Sequence, residues 1–108
     1  MLTTYNKERL LEVIEEFRKK SMFWRFEMLI LKCVLYRSVF GINADTTDDA
    51  HVDPIVLRTI LKIATNAKDH KWRTEVEKAH QDYENAAVKH KFAFGTYQAL
   101  LTMLFQNY

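Results

Sequence analysis

Glu77-Lys-Ala-His80 sets a carboxylate and an imidazole three residues apart, so on a helix the two share a face. Di-iron and di-manganese helical proteins present half a metal site with this spacing and take further Glu residues from neighbouring helices. Two copies of the chain would supply two such pairs. Glu77 nevertheless falls off the apolar stripe of Val76, Ala79 and Tyr83 and points outward. With eight Glu and four His in the chain, one such spacing also arises by chance. The sequence assigns no metal and no cofactor, and a di-metal protein built on Glu77 and His80 stands as its third functional reading.

The run Asp45-Thr-Thr-Asp48-Asp49-Ala-His51-Val-Asp53 has the oxygen density that hard cations require. Numbered from Asp45 as a calcium-binding EF-hand loop, it puts Ala50 where Gly is needed and Val56 where a bidentate Glu is needed, and both fail. Asp49, His51 and Asp53 are a looser alternative set. Against it stands a solvated loop whose aspartates cap helices and favour the N-terminus that follows. Nucleophilic catalysis has little to build on. Cys33 lies within an apolar stripe, where a thiol acts as a small hydrophobe. No Gly-x-Ser-x-Gly, phosphate-binding glycine loop or dinucleotide fingerprint occurs. His70, His80 and His90 are ten residues apart, about 80° of helix rotation each, and cannot form a three-ligand face. These absences read as a protein that is not an enzyme.

Two basic–aromatic clusters remain: Arg18, Lys19, Lys20, Phe23, Trp24 and Arg25, and Lys68, His70, Lys71, Trp72 and Arg73. Cations neutralise phosphates while aromatic planes stack on bases, so nucleic-acid or nucleotide binding is the second functional reading. The same groups dock an acidic protein patch equally well. If both clusters sit at helix junctions, they lie near each other in space.

The elements that carry these residues read as helices. The chain has 108 residues, with two Gly, one Pro and one Cys, and its hydrophobic share is 48%. That is one domain, with too few turn formers for a β-sandwich, too much apolar content for disorder, and no disulfide framework. A first helix is expected over about 4–20 and a second over 21–40 with Ser21 as its cap. No Gly or Pro parts them, so one bent helix over 4–40 fits as well. Met22, Phe26, Leu29, Cys33, Tyr36 and Phe40 form one stripe there; Trp24, Met28, Leu31 and Leu35 form another. Gly41 stops the helix, and an acidic loop spans 41–53. Asp53-Pro54 starts a helix over 54–68, with Val56, Ile60, Ile63 and Ala67 on its buried side. The last helix, over 70–106, carries a heptad seam from Trp72 through Ala79, Ala86 and Ala93 to Leu104.

Charge is uneven. Residues 1–40 hold eight basic and five acidic side chains, 41–53 hold four aspartates and no base, and Phe92 to Tyr108 hold no charge at all. A tail made this way is made to be covered. The fold expected is therefore all-α, an antiparallel bundle or long helical hairpin of three to four helices completed by self-association. The self-association residues are Tyr97, Leu100, Leu101, Leu104 and Phe105, with part of 22–40. The functional expectation is a small cytoplasmic adaptor that works by protein–protein interaction, outside any membrane. Small, motif-free helical chains of this kind are common among phage and other accessory regulators. Its partner contacts would be Arg18, Lys19, Lys20, Trp24, Arg25, Lys71, Trp72 and Arg73.

Overall fold

The computed structural model describes residues 4–44 and 49–108, with side chains from residue 6 onward. Three helices account for it: α1 (Thr4–Phe40), α2 (Pro54–Thr65) and α3 (His70–Asn107), with no strand among the described residues. α1 is one helix of 37 residues, so the break expected at Ser21 does not occur. Nothing in 4–40 interrupts the backbone, and Ser21 sits inside a buried row rather than at a cap. That row is Ile14, Ser21, Met28 and Leu35, at 7%, 7%, 0% and 0% exposure. Its step of seven is the repeat that keeps one helix face against another. Gly41 closes the helix at φ 66°, where its N–H reaches the Arg37 carbonyl at 3.1 Å.

α2 starts as expected: an Asp53 carboxylate oxygen accepts from the Ile55 N–H at 2.8 Å, and Pro54 opens the helix. It ends at Thr65 rather than 68, because the Asn66 side chain donates to the Lys62 carbonyl at 3.0 Å and its backbone N–H takes the same oxygen. The buried side also differs. Ile60 and Ala64 are buried, Val56 and Leu57 half-buried, while Ile63 is 41% exposed. The 4-step row 56–60–64 wins over the row through Ile63. Asp69 then caps α3, accepting from Trp72 N–H at 3.1 Å.

α1 and α3 run antiparallel as a long hairpin. Lys7 Nζ lies over the Tyr108 ring at 5.4 Å, and Lys89 Nζ over the Trp24 ring at 4.5 Å. The α3 seam faces inward: Val76, Ala79, Tyr83, Ala86 and Ala93 are buried, and His90, Tyr97, Leu100 and Leu104 half-buried. Small side chains at alternate layers let the helices approach closely. α2 and the segment before it pack only at the closed end. There Met28, Leu35 and Ile60 are fully buried with Tyr83 and Ala86. The Tyr83 hydroxyl accepts the Val52 N–H at 2.7 Å and lies 3.4 Å from the Ala50 carbonyl, and burial pushes its pKa up. Buried Lys32 donates to the Asp49 carbonyl at 2.9 Å. Two polar side chains thus pin the segment 49–52 to the hairpin.

Past α2, α1 and α3 continue as a two-helix arm. The molecule measures 63 × 23 × 18 Å with a radius of gyration of 18.4 Å, against about 13 Å for a compact domain of this length.

Candidate functional site

The residues singled out in the sequence are not drawn together into one site among the described residues. Glu77 faces outward with a carboxylate oxygen 3.8 Å from Arg73 Nε, while His80 turns inward, its Nε2 3.7 Å from Glu84 Oε1. The two residues proposed as a metal pair thus have separate partners on separate sides of α3. Among the described residues, no group of three or more His, Cys, Asp or Glu side chains is placed to hold a metal ion. In the acidic loop, Asp45 and Asp48 lie outside the described residues. Asp49 Oδ1 accepts from the His51 N–H at 2.9 Å and meets His51 Nδ1 at 2.7 Å, which holds the carboxyl below its usual range. Asp53 is used as the α2 cap.

The two basic–aromatic clusters are not brought together. Because α1 is unbroken, Arg18 to Arg25 lie mid-helix, facing the stretch of α3 around Lys89 and Ala93. Lys71, Trp72 and Arg73 lie at the start of α3, about 30 Å away at 1.5 Å per residue. The first cluster is partly neutralised from within: Arg18 pairs with Glu15, and Lys20 Nζ meets Glu16 at 3.1 Å. Lys19 and Arg25 stay exposed and form no ion pair among the described residues. Trp24 is half-buried, edge-on to Phe23 at 4.9 Å. In the second cluster Trp72 packs against the core, and Arg73 Nη2 reaches His70 Nδ1 at 2.8 Å.

Two partly exposed apolar surfaces stand out instead among the described residues. The first continues the face that α2 covers. Along α3 the row His80, Ala87, Phe94, Leu101, Tyr108 repeats every seven residues. α2 and the loop segment cover its beginning, with His80 at 6% and Ala87 half-buried. Past the end of that layer Phe94 is 41% and Tyr108 43% exposed, and neighbouring Phe105 is 77% exposed. An open groove of about 680 Å³, lined by His51, His90, Phe94 and Gln98, marks the step. Of the expected self-association residues, Tyr97, Leu100 and Leu104 lie on the intramolecular seam, Leu101 belongs to this row and is half-buried, and Phe105 borders it.

The second surface is the outer side of α1. Two stripes were legible there, and the structure separates them. Trp24, Met28, Leu31 and Leu35 face α3; of the other stripe Met22, Phe26, Cys33 and Phe40 are exposed, while Leu29 and Tyr36 are half-buried and pack against the core. Met22 is 58% and Phe26 61% exposed, and Cys33 is exposed as a free thiol. The reading of Cys33 as a covered hydrophobe is therefore corrected: the thiol itself is exposed. No helix among the described residues is long and apolar enough to cross a membrane.

No family model matches the chain, and no similarity to a curated protein or to a solved structure is found.

Proposed function

We propose that the protein is a non-enzymatic helical adaptor that pairs with a second copy through the open arm and works by binding a partner protein. The observation that carries this is the exposure of Phe94 and Phe105 on α3 past the end of α2. A face that α2 fills at the closed end carries exposed Phe94 and Phe105 at the open end, and residues 92–108 there carry no charge. Two such arms laid face to face would complete a four-helix bundle about a two-fold axis. The surface area agrees. The chain exposes 7770 Å², whereas a compact monomer of its mass exposes about 6,300 Å². The excess is more than the roughly 800 Å² that each partner contributes to a stable interface. A cytoplasmic setting belongs to this reading, since the exposed thiol of Cys33 stays reduced there.

The test is the mass in solution by light scattering. A dimer is expected for the wild-type chain. A monomer is expected for the double variant Leu101→Asp, Phe105→Asp, with helical circular dichroism retained. A wild-type chain that stays at 12.9 kDa at micromolar concentration overturns the pairing.

A further inference from the structure

We propose that the groove between α1 and α3 at Trp24 and Lys89 binds a single-chain aliphatic carboxylate, with its headgroup on Lys89 and Lys20 and its tail laid between Phe17 and Phe92. This goes beyond the adaptor reading and uses a different side of the arm. Val88, Lys89 and Phe92 form the α3 wall of the groove. In the heptad register, Lys89 and Phe92 fall on the opposite flank of the Ala86–Ala93 seam from Ala87 and Phe94, which continue the α2 face. Shape is the first support. The groove measures about 540 Å³, within the range of small-molecule sites. Its depth follows from a mismatch of side-chain size. Buried Ala93 forms the floor, half-buried Phe17 and Trp24 rise from α1, and Phe92, 70% exposed, rises from α3. An alanine floor between aromatic walls leaves room for a slender aliphatic chain.

The second support is charge. Both charged side chains that line the groove are lysines, Lys20 and Lys89. Lys20 Nζ shares its charge with Glu16 at 3.1 Å. Lys89 is exposed and forms no ion pair among the described residues. One unpaired cation suits one anionic headgroup, whereas a nucleic-acid strand brings a phosphate with every nucleotide. The Trp24 ring is already engaged, with Lys89 Nζ over it at 4.5 Å and Phe23 edge-on at 4.9 Å. An aliphatic tail beside Phe17 and Phe92 is therefore a better complement than a base stacked on Trp24. Charge also sets the direction. On the other side of Trp24 and Lys89 the cleft is lined by Glu27 and Asp82, which repel a carboxylate. The headgroup thus stops at Lys89, and the tail runs toward the open end.

The experiment is isothermal titration calorimetry of the full chain with decanoate, below its micelle concentration. Saturable binding at one site per chain is expected. Octanoate should bind more weakly by up to about tenfold, as the loss of two buried methylenes requires. Decyltrimethylammonium, the same tail with the opposite charge, should bind at least about tenfold more weakly than decanoate. Lys89→Glu should reverse that order. Phe92→Ser should weaken decanoate by about tenfold or more while helical circular dichroism holds. Ile55→Ser, at a comparably exposed apolar position on α2, should leave decanoate binding unchanged. Tryptophan emission should shift to the blue as decanoate binds, and Trp24→Phe should abolish that shift. Equal affinity for the two amphiphiles overturns the proposal, as does binding that ignores tail length, Lys89→Glu or Phe92→Ser. Absence of saturable decanoate binding also overturns it. So does cosedimentation with phosphatidylserine–phosphatidylcholine vesicles without decanoate binding, which would make this flank a membrane contact.

Discussion

At the scale of single residues, His90 occupies the place where the loop segment meets the arm. Its ring stacks on Phe94 at 5.7 Å and meets His51 edge-on at 6.0 Å. Partial burial, then His51, then Arg25 of α1 hold its pKa below the ordinary 6.5. Asp49 faces the same cluster through His51, and Lys91 follows His90 on its own helix. In the unfolded chain the imidazole takes its proton near 6.5; in the folded chain it resists. Between those two values the unfolded state binds more protons, so stability falls as pH drops below about 6.5. Asp49, with its own lowered pKa, acts in the same direction but only below its ordinary 3.8. Thermal melts between about pH 7 and pH 5 should therefore show Tm falling with acid. His90→Phe, which keeps an aromatic on Phe94, should flatten the slope; an unchanged slope would assign it elsewhere. The sequence placed His90 on the seam but not against His51. That contact spans 39 positions and depends on how the loop docks, which no local pattern encodes. Tyr83 is similar: its place on the seam was legible, its bond to Val52 was not.

At the scale of elements, α3 was the most legible, because a heptad seam of alternating small and large residues fixes both the helix and its buried side. α1 was legible as helix, but its two stripes share one period, and a period does not say which stripe meets the neighbour. In α2 the phase slipped by one residue, since Ile63 and Ala64 are adjacent and both apolar. Gly95 lies inside α3, where a glycine is either a weak point of the helix or a site of close approach. A Cβ built there meets no atom within 4 Å, and the backbone is helical. Gly95 is thus a weak point within the chain. Gly95→Ala should stabilise by about 0.4–1 kcal/mol through helix propensity and a less flexible unfolded chain. Chemical denaturation should show a higher midpoint at unchanged slope. A lower midpoint with loss of the dimer would mean instead that a second copy packs closely against that position.

At the scale of the whole molecule, stability and pairing are coupled. The fully buried side chains Met28, Leu35 and Ile60 all sit at the closed end. The arm contributes Ile14, Ser21 and Ala93 as its buried residues outside that core. Two helices packed along one thin row bury too little to offset the ordering of so many residues, since a chain this small is marginal even when compact. Composition alone already hinted at this, because the apolar surplus in 22–40 and 92–108 exceeds what two antiparallel helices can cover. It could not say that α2 would stop short and leave one end open; that depends on the Asn66 termination and the docking of 49–52. If a second copy covers the arm, unfolding and dissociation are one event, and each tenfold rise in concentration adds about 1.4 kcal/mol to the unfolding free energy of the dimer. Tm should accordingly climb by a few degrees across dilution series of the wild-type chain. In Leu101→Asp, Phe105→Asp the climb should vanish and Tm should settle at or below the dilute wild-type value. A wild-type Tm independent of concentration, with the arm as protected from hydrogen exchange as the closed end, would mean that the hairpin holds its arm without a second copy.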